Sequence, residues 1–222
     1  KKAAAAKALE WVKDGMTIGL GTGSTAYHAI EGLAGKMALG LKFTTVSSSL
    51  ASESLAKGMG IPTSDPFSIS HIDLAIDGAD EVDDHGFLIK GGGGALTREK
   101  ILSYNSSVFI VIVDSSKQVQ QIGSFPLPVE VVPFASQLTA ANLEKLGCVA
   151  SLRQRGGLPF VTDNGNHILD CSFGNIAAPF VLAQEISRIP GVVEHGLFMP
   201  HPQQVVIIGS GDGSVIVRKK NA

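Results

Sequence analysis

Four consecutive glycines, Gly91 to Gly94, stand between a short apolar stretch, Phe87-Leu-Ile89, and a helical pattern in which Leu96, Ile101 and Leu102 share one side. Glycines cannot fill a core and are poor in the interior of a helix or strand, so the run demands a turn where the backbone itself approaches something closely. When such a turn feeds a helix, unpaired N–H groups and the positive end of the helix dipole gather at one point, which favours an anion. Lys90 precedes the glycines and Glu99 falls near the first helical turn, so a cation and a carboxylate can face one backbone-lined hollow. Those are the parts needed to draw a proton from carbon beside a carbonyl: a carboxylate base and fixed donors for the oxyanion that forms.

The same order of strand, small-residue turn and helix occurs earlier, in Met16 to Gly21, Gly21-Thr-Gly-Ser-Thr25 and Ala26 to Leu33. Hydroxyl and N–H groups converge in such a turn, as at phosphate sites, with Thr22, Gly23, Ser24 and Thr25 as the contacts. Ser24 or Thr25 acting only as a helix N-cap is an equally good reading of these residues alone. The turn lacks the third glycine of a dinucleotide fingerprint and the lysine of a P-loop. Further strands are expected at Phe43 to Val46, Ile72 to Ile76 and Val108 to Val113, with a helix around Leu50 and Leu55, and Ser47 to Ser49 either cap that helix or meet a ligand. This alternation predicts an α/β protein with an open, mostly parallel, Rossmann-like sheet. Ligands of such sheets bind beyond the carboxyl ends of the strands, which would bring Gly21–Thr25, Asp77–Asp80, Lys90–Gly94 and Asp114–Lys117 to one rim. Asp77 and Asp80 are also common turn formers, Asp83-Asp84 with Gly86 reads as a hairpin turn, and Lys117 can be merely solvated.

From Pro126 onward the pattern changes. A strand at Val129 to Val132, a helix at Ser136 to Leu146, strands at Val149 to Arg153 and His167 to Ser172, a helix at Pro179 to Ile189 and a strand at Val192 to Phe198 follow in order. That is the split βαβ sequence of a ferredoxin-like unit. The expected organisation is a catalytic Rossmann-like domain, 1–126 plus 200–222, and a smaller ferredoxin-like α+β domain, 127–199, with Val205 to Ile208 and Val215 to Val217 returning to the first.

Of the 222 residues 44 % are hydrophobic and 17 % charged, with a formal net charge of −2, as in an ordinary globular protein without a nucleic-acid footprint. The apolar runs are too short to span a bilayer. Lys1 to Lys7 lead into an alanine-rich helix rather than a secretory signal, so the cytoplasm is expected. Cys148 and Cys171 lack CxxC spacing and are read as small buried hydrophobes, and the six scattered histidines imply no metal site.

With Gly21 to Thr25, Asp77-Gly-Ala-Asp80, Lys90 to Lys100, Ser116-Lys-Gln118 and Phe125-Pro-Leu-Pro-Val-Glu130 in register, the chain resembles the type A ribose-5-phosphate isomerases. Val161 to Asn166, Ile168-Leu-Asp170 and Ile189 to Val193 extend the likeness over nearly the whole length. The resemblance implies interconversion of D-ribose 5-phosphate and D-ribulose 5-phosphate in the non-oxidative pentose phosphate pathway, through a cis-enediolate and with no metal or cofactor. It implies Glu99 as general base, Lys90 with the N–H groups of Gly91, Gly92 and Gly93 as stabilisers of developing charge, and Asp77 and Asp80 as helpers in ring opening and proton exchange. Thr22 to Thr25, Gly78, Ala79 and Lys117 match substrate contacts, and Lys1 or Lys2 a further lysine. A sugar phosphate is the implied partner, with no nucleic acid or membrane, in a homodimer or homotetramer. A sugar-phosphate sensor domain and a CoA-transferase-like enzyme that uses a glutamate nucleophile are the alternatives on related folds.

Overall fold

The structure, a computed structural model, describes residues 1–219. Its regular elements begin with α1 (Lys2–Ala8), β1 (Thr17–Leu20), α2 (Ser24–Ala38), β2 (Thr44–Ser47), α3 (Leu50–Gly58) and β3 (Ile72–Asp77). They continue with β4 (Glu81–Val82), β5 (Leu88–Ile89), α4 (Leu96–Tyr104), β6 (Ser106–Asp114), β7 (Leu127–Val131), α5 (Ser136–Glu144) and β8 (Val149–Leu152). The last are β9 (Gln154–Arg155), β10 (Leu158–Pro159), β11 (His167–Ser172), α6 (Pro179–Ser187), β12 (Val192–His195), β13 (Leu197–Phe198), β14 (Gln204–Gly209) and β15 (Val215–Lys219).

Contacts group the chain into two units, residues 1–79 with 98–118 and 201 onward, and residues 80–97 with 119–200. The sequence pattern places the boundary near 126, but 80–97 and 119–126 group with the second unit. Residues 220–222, part of the expected catalytic domain, lie outside the described residues.

The first unit is built on a six-stranded sheet in the order β15-β14-β6-β3-β1-β2. All its pairings are parallel except that of the edge strand β15 with β14. The apolar run Phe109 to Val113 lies wholly buried at its centre, as expected of a parallel strand covered on both faces. Helix α2 buries Ala26, Ala29, Ile30 and Leu33, the spacing of one helical face, while α1 contributes Ala4, Ala5 and Ala8. From β1 the chain crosses to β2 on one side and returns to β3 on the other. The order therefore reverses at β1 and β3, whose carboxyl ends open the crevice where ligands of such sheets bind.

The second unit carries the four-stranded antiparallel sheet β12-β7-β11-β8 with α5 and α6, the ferredoxin-like arrangement. Leu127, Val129 and Val131 of β7 join Leu143, Ile186, Leu169 and both cysteines in its core. Cys148 and Cys171 are free and buried, as the sequence suggested. A three-stranded sheet, β13-β5-β4, and the small β9–β10 hairpin complete the unit.

Two expectations are corrected. The stretch Phe87 to Ile89 does not feed the parallel sheet: β5 pairs antiparallel with β4 through the Asp83–Gly86 turn, so the Lys90–Gly94 turn does not end a strand of that sheet. A link this short permits only a hairpin, since a parallel return needs a crossover of a dozen residues or more. The last strand of the ferredoxin-like unit breaks at Gly196, after which β13 leaves β7 and pairs with β5. Gly196 donates its N–H to Pro128 and accepts that of Lys90 on its carbonyl, which ties the break to the start of the glycine turn.

Candidate active site

The candidate residues divide between the two units. In the first, β1 delivers Gly21 and β3 delivers Asp77 to the point where the sheet order reverses. Asp77 is 4 % exposed, and its Oδ1 accepts the N–H of Gly78 at 2.7 Å and that of Thr22 at 3.2 Å. This approach leaves no room for a side chain at position 21, where a Cβ would stand 1.9 Å from Asp77 Oδ1. The Thr22 hydroxyl meets Ser48 at 2.8 Å and Ser49 at 2.9 Å, and Ser52 Oγ donates to the Gly21 carbonyl. Of the alternatives for the serine run, capping holds for Ser49, which receives the Ser52 N–H at the start of α3.

Helix α2 starts without a side-chain cap: Gly23 stands at the cap position, and Ser24 is already helical. The N-cap reading of Ser24 and Thr25 is thereby corrected. Ser24 instead accepts the Lys1 ammonium on its hydroxyl at 3.0 Å, and Lys1 lies 3.6 Å from Asp114 at the carboxyl end of β6. The Ser116 hydroxyl, helped by the charges of Lys1 and Lys117, holds the Asp114 carboxyl below the usual aspartate range. Lys117 itself is half-buried in the single 3-10 turn that follows. Glu99, in the first turn of α4, is 4 % exposed and lines a narrow cleft with Gly21 and Asp77. Gly78 and Ala79 are half-buried in the segment that follows Asp77.

In the second unit Asp80 is half-buried, and its Oδ2 accepts the Gly92 N–H at 2.7 Å. A Cβ at position 92 would lie 2.6 Å from this carboxylate, which explains the glycine there. The Gly94 N–H closes the turn onto the Gly91 carbonyl. The Gly94 amide is therefore engaged within the turn and the Gly92 amide by Asp80, although the sequence reading assigned Gly92 to a ligand. Lys90 is 2 % exposed, with its ammonium 5.4 Å from the centre of the Phe198 ring.

Several supporting residues carry no signal in the sequence pattern. Arg153 forms a two-point ion pair with Asp170 and donates to the Gly91 and Gly92 carbonyls at 2.8 and 3.1 Å. Fully buried Glu130 accepts from Thr97, Thr162, Asn164 and Asn166. Thr97, Glu130, Thr162, Asn164, Asn166 and Asp170 stand in the strings that carry the resemblance, but not as parts of a site, and Arg153 stands only at the end of an expected strand.

In the first unit, a parallel sheet whose strand order reverses between β1 and β3, with an uncapped helix and the buried carboxylates Asp77 and Glu99 at that point, has the architecture of an α/β enzyme. Residues 44–213 match the family model described as ribose 5-phosphate isomerase A (phosphoriboisomerase A). The chain belongs to the ribose 5-phosphate isomerase A family. It is 49 % identical over 207 residues to ribose-5-phosphate isomerase A of Sphingopyxis alaskensis, covering 93 % of this chain and 91 % of that one. With the Picrophilus torridus relative of the same name it shares 48 % over 220 residues, 99 % of this chain and 98 % of the relative. Ribose 5-phosphate isomerase from Plasmodium falciparum superposes with a TM-score of 0.95 at 37 % identity, covering 100 % of this chain and 98 % of that one. A D-ribose-5-phosphate isomerase solved in complex with phospho-erythronic acid superposes with a TM-score of 0.94 at 38 % identity, covering 99 % and 97 %.

Proposed function

We propose that this chain interconverts D-ribose 5-phosphate and D-ribulose 5-phosphate with Glu99 as the base that carries one hydrogen between the first two carbons. From the open aldose, Glu99 takes the proton on C2, and the electron pair forms the C1–C2 double bond of a cis-enediolate as the charge moves to O1. Glu99 returns its proton to C1 while O2 becomes the carbonyl oxygen, and a proton passes from O2 to O1, so atoms and charge balance. Lys90 and the N–H groups of Gly91 and Gly93 take up the charge on the sugar oxygens. Asp77 and Asp80 handle hydroxyl protons: as the ring opens, the anomeric hydroxyl gives up a proton, the bond from C1 to the ring oxygen breaks, and that oxygen takes a proton up.

The phosphate goes to Thr22 to Thr25, where the uncapped start of α2 supplies N–H groups and a favourable dipole, with Lys1 on Ser24, Gly78 beside Thr25, and Ala79 and Lys117 in the same unit. Remote binding of this kind holds the open sugar in reactive geometry. Support for an enediolate comes from the relative solved with phospho-erythronic acid, whose planar carboxylate has the shape and charge of that intermediate. The observation that carries the reading is Glu99 itself, a buried carboxylate in the first turn of a helix, lining one cleft with Asp77.

The work is done without metal or organic cofactor, in the cytoplasm, within the non-oxidative pentose phosphate pathway, by a homodimer or homotetramer. Relatives at 46–49 % identity carry the isomerase's name, which favours this reading over a sensor or a CoA-transferase-like enzyme. Glu99→Gln tests it. The variant should fold, still bind a sugar phosphate, and lose roughly 10²- to 10⁴-fold in kcat, the contribution of a general base. Near-normal turnover would remove Glu99 from that role.

A further inference from the structure

One peptide group in the glycine turn has charged side chains at both ends. The carbonyl of Gly91 accepts from Arg153 Nη1 at 2.8 Å, while the N–H of the same peptide, on Gly92, donates to Asp80 Oδ2 at 2.7 Å. The peptide is trans, so its C=O and N–H point in opposite directions, and the guanidinium and the carboxylate stand on opposite sides of the turn. Arg153 Nη1 also reaches the Gly92 carbonyl at 3.1 Å. The far side of the guanidinium is locked by Asp170, through Nε at 2.9 Å and a second bond from Nη2. Arg153 is therefore held on three sides, and its charge bears on two carbonyls of a segment whose glycines give it no side-chain support.

We propose that the Arg153–Asp170 pair positions Asp80 for its part in the reaction, acting through the Gly91–Gly92 peptide. The inference rests on the role given above to Asp80. A guanidinium is the suitable group because its planar fork can meet a carboxylate on one edge and carbonyls on the other, which an ammonium cannot. A cation on the carbonyl draws electron density along the peptide and strengthens the N–H as a donor, since hydrogen bonds in a chain polarise one another. The bonds also set the peptide's direction. Without Arg153 the Gly91–Gly92 peptide can rotate, and the N–H then leaves the Asp80 carboxylate. A glycine segment has the least intrinsic resistance to that rotation. Arg153 touches neither the sugar nor the base in this account, so it is a positioning residue.

Ring opening and hydrogen transfer can be read separately. A ketopentose 5-phosphate has no free hydroxyl at C5 with which to close a five-membered ring, so ribulose 5-phosphate stays open. Exchange of its C1 hydrogen with D2O, followed by NMR, needs the base and the enediolate but no ring step, whereas consumption of ribose 5-phosphate needs both. Removing Arg153 alone leaves the Asp170 charge unpaired and can unfold the chain, so the variant to use is Arg153→Met/Asp170→Leu, which removes both charges.

The double variant should lower kcat/KM for ribose 5-phosphate by about ten- to a hundredfold, the range set by a hydrogen bond to a charged group, while C1 exchange changes much less. It should match Asp80→Asn in this respect. Added to Asp80→Asn, it should cause no further loss, because two changes on one line of action are not additive. Arg153→Lys should recover only part of the activity. Normal consumption of ribose 5-phosphate by the double variant would overturn the inference, and so would an additive loss in the Asp80→Asn background or a parallel loss of exchange and consumption. If Asp80→Asn alone lost exchange and consumption equally, the role of Asp80 in ring opening would be at fault instead.

Discussion

Gly21 illustrates how much chemistry a missing side chain can carry. Its neighbour is the Asp77 carboxylate, and any Cβ would fall 1.9 Å from Oδ1, far inside contact distance. Gly21→Ala must displace either β1 or Asp77, and a displacement near 1 Å at reacting groups costs on the order of 10²-fold in rate. Gly35, in the exposed part of α2, has nothing within 4 Å of the same added atom. Gly35→Ala should leave activity intact and stabilise the helix by roughly 0.5–1 kcal/mol. Assays of kcat/KM and urea unfolding of both variants check the contrast, and a fully active Gly21→Ala would contradict the placement of Asp77. At this scale the sequence names candidates, and the structure buries three of them, Asp77, Lys90 and Glu99. Glu99, Lys90, Asp77 and Asp80 stand out because four ionisable groups near glycine turns are expensive to keep without a use. The sequence did not show that the Gly92 N–H belongs to Asp80 or that Ser49 caps α3, since both bonds depend on where separate loops come to rest.

Strand β7 shows the same limit for whole elements. Its apolar side chains alternate and were readable as a strand, yet all five residues are buried, so the face bearing Glu130 is covered too. There Glu130 gathers four donors, one of them the Thr97 hydroxyl on α4, two residues ahead of Glu99. Glu130→Leu removes the acceptor and leaves the buried donors of Thr162, Asn164 and Asn166 without it. The expected loss is about 1–3 kcal/mol, read as a lower urea midpoint with an unchanged slope. A midpoint equal to that of the parent chain would mean the network is not formed. The periods of 3.6 and 2 located nearly every helix and strand. They failed at the two-residue strands β4, β9 and β10, which are too short to have a period and exist because their partners do.

The whole molecule leaves large apolar side chains uncovered. Val132, Phe134 and Leu138 fall within seven consecutive residues, and Phe134 is 88 % exposed. A cluster of that kind on one chain is surface that association can bury. Light scattering should therefore give a mass about two or four times the 23.1 kDa of one chain, and Phe134→Glu with Leu138→Glu should lower it. A monomer at assay concentration would reject the proposed homo-oligomer. Among the described residues no helix is long and apolar enough to cross a membrane.

By itself the sequence determined the alternating α/β plan, the ferredoxin-like unit, the glycine turns and the candidates for the site. These follow from local spacing, glycine's backbone freedom and the cost of isolated charge, all of which act over a few residues. Only the tertiary structure decided that β5 pairs outside the parallel sheet, that Glu130 anchors Thr97, and that Arg153 reaches across 62 positions to the glycine turn. A hydrogen bond is made by whichever donor and acceptor the packed chain brings within about 3 Å, and periodicity can say that a residue is buried without saying what it will meet.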